Sequence, residues 1–443
     1  MFETFRNAWK ITELRKKILF TLFIIFIYRI GSVLIPVPFL NAEVLSAILE
    51  SNQGTFLSYM NTLSGGALSS ATVFALSIQP YINASIIMQL LTYALPPLER
   101  LQKEGETGRK RLQKISDILT IVLALVQGYG YYLMMRNWGA VTYTQGAEGV
   151  FAAIVIVVSF VVGASIIVWL GNRINEKGIG NGISMILFAG IIARGPDAVE
   201  KLYKLVSTDM SMIFLALAVV LIFVLMIGFI VFMNESERRI PIQYAKRVVG
   251  RKQYGGQNAH IPIKVAMSGV MPIIFASSFM AIPSMFAMFW QPNLNPETQT
   301  GWDKFYAGFL DFFSYDNMWY GAVYFALIIG FNYFYVAMQY NPVEIANNLR
   351  QNNGGIPGIR PGKPTSDYIQ KILSKITLVG AFFLGVIAIF PIIFENVLSM
   401  MKISGLSLSM GGTSILIIVS VALETVRILE SQMVMRHHKG FLE

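Results

Sequence analysis

Nine apolar runs, each long enough to cross a bilayer as a helix of about 20 residues, recur along this chain. They cover residues 18–35, 73–95, 115–135, 150–170, 212–233, 265–290, 318–340, 372–394 and 413–429. A tenth run, 183–193, is short and is interrupted by Arg194-Gly195-Pro196. Loop charge decides whether it counts. With the N-terminus inside and ten alternating spans, the inside segments hold 28 of the 35 Lys and Arg residues and the outside segments six. The last, Arg29, lies within the first run. Dropping the short run would move the basic 234–264 segment outside, against the positive-inside rule.

Composition agrees with lipid as the main solvent. Of 443 residues, 54% are hydrophobic and 14% charged, where soluble domains carry about 25% charged. The net charge of +10 is that of basic orienting loops and does not need nucleic acid to explain it. The basic cluster Arg15, Lys16 and Lys17 precedes the first run as in a signal peptide, but the run continues through Ile35 without a clean small-residue cleavage site, so a retained span is expected. There is no cysteine, and only His260, His437 and His438 offer imidazole. No thiol chemistry, zinc site or other cofactor is expected.

Ten spans divide into five and five, which predicts an inverted repeat with a pathway at the seam. Span 2 contains Ser77-Ile78-Gln79-Pro80-Tyr81-Ile82-Asn83-Ala84-Ser85, and span 7 contains Gly269-Val270-Met271-Pro272-Ile273-Ile274-Phe275-Ala276-Ser277. Span 5 opens Gly182-Ile183-Ser184-Met185 and span 10 opens Gly412-Thr413-Ser414-Ile415. The prolines are expected to bend their spans. Ionisable residues within the spans are few. Glu424 and Arg427 are expected to form an i, i+3 pair near the end of span 10, and no ion relay is visible. Ile78 with Ile82, and Ile183 with Leu187, stand at i, i+4; such pairs either pack a core or line a dewetting constriction. The Ser- and Gly-rich segment 54–70 is too short and polar to span, and reads either as an external loop or as a re-entrant element buried in protein.

Together these pieces resemble the SecY/Sec61-alpha family of protein-translocation channels over nearly the whole chain. The resemblance rests on Arg29-Ile30-Gly31, Ile35-Pro36-Val37-Pro38, the run from Phe74 through Ile82 to Gln89-Leu90-Leu91, and Glu176-Lys177-Gly178-Ile179-Gly180-Asn181-Gly182-Ile183-Ser184. Further on it rests on Arg239-Ile240-Pro241, Tyr244-Ala245-Lys246-Arg247, Pro357-Gly358-Ile359-Arg360-Pro361-Gly362 and Met435-Arg436. Ser77 and Gln79 depart from it, since the family often has Gly and Met there.

The resemblance implies an all-α polytopic fold, ten helices in two inverted five-helix halves (1–210 and 211–443) around a central pore. It implies a pore ring of Ile78, Ile82, Ile183, Leu187, Ile274 and Ile417. It places a plug at Ser64, Gly65, Gly66, Ala67 and Leu68, and a lateral gate between spans 2 and 3 and spans 7 and 8, with Asn83 and Gln89 in its wall. Arg239, Lys246, Arg247 and Arg360 would engage a motor or a ribosome. The implied partners are the small SecE and SecG subunits, the SecA motor ATPase, the ribosome, secretory polypeptides with their signal sequences, and the lipid bilayer. The implied location is the bacterial inner (cytoplasmic) membrane with both termini cytoplasmic. The glycine-rich 178–182 segment is no nucleotide motif, lacking a preceding strand and a following Lys-Ser/Thr, so energy must come from a partner and no enzyme activity is expected. A small-solute secondary transporter is the alternative from the repeat alone; a membrane-embedded enzyme lacks paired carboxylates or a metal cluster within the spans.

Overall fold

The structure, a computed structural model, describes residues 2–51, 56–208, 212–244, 247–249, 252–254, 258–290, 301–314, 317–400 and 412–439. A short α1 (Phe2–Lys10) precedes the first span, α2 (Thr12–Leu34). Two short helices, α3 (Ala42–Ser51) and α4 (Phe56–Leu63), lead to α5 (Gln79–Ala94) and α6 (Pro96–Lys103). The long α7 (Glu106–Asn137) and α8 (Gly146–Lys177) follow, then α9 (Gly182–Ala193), α10 (Gly195–Thr208) and α11 (Ile213–Glu235). A loop region holds β1 (Glu237–Tyr244), β2 (Arg247–Val249), β3 (Lys252–Tyr254) and β4 (Asn258–Lys264). The remainder is α12 (Met271–Phe289), α13 (Gly301–Phe312), α14 (Met318–Gln339), α15 (Pro342–Gln351), β5 (Gly354–Gly355), α16 (Lys363–Met400) and α17 (Gly412–Lys439).

Among the described residues, eight helical stretches are long and apolar enough to cross a membrane. The two other expected spans fall on α5, which has 16 residues, and on α17, which carries Glu424, Arg427 and Glu430. The short fifth run gains length in the fold: α9 and the start of α10 form one 23-residue stretch, Gly182–Lys204. Pro196 does not break it, because it falls in the first turn of α10, where a missing N–H costs nothing. Among the described residues, every strand lies in a segment between spans.

The repeat appears in the packing. In the first half α5 packs on α7, α7 on α8, α8 on α9 and α2 on α9. In the second half α12 packs on α14, α14 on α16, α16 on α17 and α11 on α17. Span by span these are the same neighbours.

The two prolines do something other than bend a span. Residues 73–78 and 265–270 are turns, and the helices begin only at Gln79 and Met271. Pro80 and Pro272 each stand in the first turn. Proline fits there because its fixed φ is already helical and its absent donor would have had no partner. The preceding caps match as well: Ile78 has φ −91° and ψ 0°, Val270 φ −87° and ψ −10°.

The expected Glu424–Arg427 pair gives way to a longer connection. Arg427 Nη2 donates to Glu235 Oε1 at 2.8 Å and to the Asn234 carbonyl at 3.0 Å, tying α17 to the end of α11. The arginine side chain reaches the unpaired carbonyls at a helix C-terminus, where positive charge is favoured.

Candidate functional site

All six residues expected in the ring meet in one apolar cluster. Ile78 and Ile82 come from the start of α5, Leu187 and Ile183 from α9, Ile274 from α12 and Ile417 from α17. Both halves of the chain contribute. Ile78 and Ile417 are nearly sealed, at 1% and 2% exposure, and Ile183 and Ile274 pack against the cluster from its margin. Each side chain sits at the cap or in the first two turns of its helix, so the position of the helix start sets the position of the side chain. Asn181 fixes the start of α9, its Oδ1 accepting from the N–H groups of Ile183 and Ser184 at 3.1 and 3.3 Å.

The same cluster includes Leu63 and Ala67 from the Ser- and Gly-rich segment. That segment is buried in protein: Ser64, Ala67 and Leu68 are at most 1% exposed. Residues 52–55 lie outside the described part of the chain. Gly65 and Gly66 take φ of +69° and +89°, a region that costs a residue with a side chain about 1–2 kcal/mol. Asn61 organises the turn from within: its carbonyl accepts from the N–H of Gly66 at 2.8 Å and its Oδ1 from that of Ser69 at 3.0 Å.

Two neighbouring residues of α2 hold this turn by its backbone. Tyr28 Oη donates to the Ser64 carbonyl at 3.1 Å, and Arg29 Nη1 to the Gly65 carbonyl at 2.6 Å. On the other side the turn rests on α9. A Cβ on Gly65 would stand 3.1 Å from Gly190 Cα, and one on Gly190 would stand 2.7 Å from the Leu63 carbonyl oxygen. Two backbones without side chains meet there. Arg194, at the end of α9, pairs with Asp197 at 2.8 Å and lies beside Gly66. Sequence reasoning noticed Arg29 but not its role, because a carbonyl acceptor leaves no trace in the residue types at 64 and 65.

Aromatic contacts join the halves at two places along α5, α7, α12 and α14. Near one end of the spans, Phe289 of α12 packs on Gly130 of α7, with Tyr129 at 6.4 Å between ring centroids. At the far end, Tyr93 of α5 meets Phe334 of α14 edge-on at 5.7 Å. Asn83 and Gln89 are half-buried on α5; Gln89 Nε2 donates to Ser85 Oγ on its own helix at 3.4 Å. Another polar point within the spans was missed in the sequence. Asn332 on α14, 2% exposed, accepts from Ser268 Oγ and donates to the Thr377 carbonyl at 2.8 Å, linking the turn before α12 to α16.

The described strands β1, β4 and β5 join two of the basic loops in one body. β1 pairs antiparallel with β4 along its length and with β5 at Gln243–Gly355 and Tyr244–Gly354. Ile240, Ile242, Ile263, Leu349, Ile356, Ile369 and Leu373 fill the core beneath. Arg239 and Arg360 are exposed on it. Arg239 Nε contacts Glu237 Oε1 at 2.6 Å, while the Arg360 carbonyl accepts from Thr365 Oγ1 at 2.8 Å. Arg247 belongs to the separate β2–β3 pair, and Lys246 lies outside the described residues. Burial first, and nearby Arg427 second, hold the Lys264 ammonium on β4 below the usual lysine range.

The SecY family model matches residues 72–426. The protein translocase subunit SecY of Mycobacterium tuberculosis is 39% identical over 454 aligned residues, and that of Streptomyces griseus 40%, each covering 100% of both chains. Among solved structures, a protein-conducting channel superposes with a TM-score of 0.63 at 17% identity, covering 95% of this chain and 93% of its own. Sec61 in a canine ribosome–channel complex superposes with a TM-score of 0.58 at 16% identity, covering 95% and 93%. The fold is therefore shared well beyond recognisable sequence, and the full-length match places this chain in the SecY family.

Proposed function

We propose that this chain is the channel subunit of a protein translocase, passing unfolded secretory polypeptides across a membrane and releasing transmembrane segments sideways into lipid. The observation that carries this reading is the convergence of six aliphatic side chains, from four helices of both halves, beneath a buried glycine turn. An apolar ring gives water and ions nothing to bind and excludes them by dewetting. It also offers no hydrogen bonds to a passing chain, so unrelated sequences slide through without sticking.

In this reading the turn 64–68 is the plug. The ring is Ile78, Ile82, Ile183, Leu187, Ile274 and Ile417, and the lateral gate is the seam between α5 with α7 and α12 with α14, with Asn83 and Gln89 in its wall. A segment exposed at the open seam would partition into lipid by composition. A central Leu or Ile contributes about −0.3 to −0.6 kcal/mol and a charged residue about +2.5 to +3.5 kcal/mol. The halves divide at 1–210 and 211–443, with ten spans in all and both termini on the cytoplasmic side of the bacterial inner membrane, as loop charge directs. The chain itself performs no catalysis. Energy comes from SecA or the ribosome docking on the exposed Arg239 and Arg360 of the unified loop body, with Lys246 and Arg247 on the same face of the membrane, and SecE and SecG complete the assembly. Basic loops draw acidic RNA and protein surfaces.

The full-length relatives are protein translocase subunits, which sets aside the small-solute transporter. Photocrosslinkers placed at Ile274 and Ile417 test the pathway. Both are expected to capture a stalled secretory chain; no capture at either site during active translocation would refute the reading.

A further inference from the structure

Between the spans α12 and α14 lies α13, a helix of 12 residues with none of them buried. At 1.5 Å per residue it is about 18 Å long, too short to cross a hydrocarbon core of about 30 Å. Its sequence is strongly two-sided. Trp302, Phe305, Tyr306, Phe309 and Phe313 follow an i, i+3, i+4, i+7, i+11 spacing and share one face, while Asp303, Lys304 and Asp311 occupy the other. Trp302 and Phe305 are 56% and 64% exposed. The face is ordered by its own rings: Trp302 packs on Phe305 at 5.6 Å, and Phe309 on Phe313 at 5.0 Å.

The surroundings say what covers it. Trp290 at the end of α12 and Trp319 at the start of α14 are 58% and 62% exposed. Both are the ends of membrane spans, where Trp and Tyr mark the headgroup level. Tyr306 meets Trp290 at 6.0 Å and Phe312 stacks on Trp319 at 6.5 Å. The aromatic face of α13 is thus continuous with the belt of the spans on either side. An exposed amphipathic helix at that level lies in the interface plane with its apolar face in the headgroup–acyl boundary. The polar face carries two acids and one base, so no attraction to anionic lipid assists it.

We propose that the aromatic face of α13, together with Trp290 and Trp319, is a lipid-binding surface that seats in the leaflet on that side of the membrane through apolar insertion alone. Seated there, it fixes the depth of the α12 end.

The absence of cysteine in the chain makes single-site labelling clean. Phe305→Cys, Phe309→Cys and Asp311→Cys are each labelled with an environment-sensitive fluorophore in the full chain, purified with its copurifying subunits and reconstituted in phosphatidylcholine vesicles. Nitroxide lipids with a shallow acyl label should quench the probes at 305 and 309 several-fold more than the probe at 311. Aqueous iodide should show the reverse order. Adding phosphatidylglycerol should change neither. Equal iodide quenching at all three positions overturns the proposal. Protection of 305 and 309 from both quenchers overturns it too, since a protein subunit then covers the face, and so does quenching that appears only with phosphatidylglycerol. Two stripe positions keep a local loss of fold at one of them from deciding the result.

Discussion

Ser77 and Gly269 hold the same left-handed backbone conformation, φ +50° and +59°, each three residues before the proline that opens its helix. Glycine adopts that conformation freely; serine does so at a cost of about 1–2 kcal/mol. Ser77→Gly is therefore expected to stabilise the protein by about 0.5–1 kcal/mol, after the added freedom of the unfolded chain is subtracted. Gly269→Ala should destabilise by about 1 kcal/mol. A Cβ at 269 meets nothing within 4 Å, so that loss would be conformational and not steric. Thermal unfolding in detergent reads both, and a lower Tm for Ser77→Gly would contradict the account.

The bond from Arg29 to the Gly65 carbonyl fastens the buried glycine turn, the proposed plug, to α2. A hydrogen bond to a charged group contributes about 1.5–3 kcal/mol, and 1.4 kcal/mol is about tenfold in an equilibrium constant. Arg29→Met should raise the resting open fraction by about tenfold to a hundredfold, read as ion conductance of reconstituted channels. Tyr28→Phe, which removes the weaker neutral bond to Ser64, should raise it less. Resting conductance equal to that of the unaltered chain in both variants would show that the plug is held elsewhere.

Gly190 lies against the buried glycine turn, the proposed plug. Its alanine variant puts a methyl 2.7 Å from the Leu63 carbonyl oxygen and near the Tyr28 hydroxyl. Backbone cannot yield as a side-chain tip does, so the turn must shift. Gly190→Ala should reproduce the leak of Arg29→Met, and the double variant should add little, because both release one element. Additive leaks would separate the two contacts.

Widening the ring should open a leak without loosening the plug. Ile82 and Ile274 hold matching places four residues after their helix caps. Replacing both with Gly is expected to increase ion conductance during translocation, when the plug no longer helps to seal. Conductance unchanged from that of the intact ring would count against the assignment.

Charge reversal on the loop body should act on a different step. Arg239→Glu and Arg360→Glu are expected to slow motor-driven translocation severely while leaving resting conductance unaltered, since both side chains are exposed on a loop body whose core is a separate cluster from that of the six aliphatic residues. Translocation assays into inverted vesicles, run beside conductance measurements, distinguish the two effects.

The spans were legible because lipid imposes a composition that water does not. Loop charge also found the short fifth run, which the fold completes through Gly195-Pro196 and α10. That the six aliphatic residues would meet in one cluster was legible through the repeat and the family likeness together. Helix starts were not: an apolar run with one proline reads as a bent span, and nothing in the residue types of 73–78 or 265–270 announces six residues of turn before the helix. The bonds from Tyr28 and Arg29 end on backbone, which every residue possesses, so the fastening of the glycine turn left no signal. Arg427 illustrates the same limit. Its expected partner was Glu424, three positions away, but helix packing brought Glu235, 192 positions away, within 2.8 Å.

The two ring contacts at the ends of the seam set a scale for opening it. An aromatic pair contributes about 0.5–1.5 kcal/mol beyond its buried area, so Tyr93–Phe334 and Tyr129–Phe289 together add about 1–3 kcal/mol to closure. Each leucine at the centre of a segment gains about 0.3–0.6 kcal/mol on entering lipid. The latch and its opponent are thus of one magnitude. In the proposed lateral gate, a handful of leucines offsets these two ring contacts and a polar stretch does not, so the pair would bias sideways release toward apolar segments.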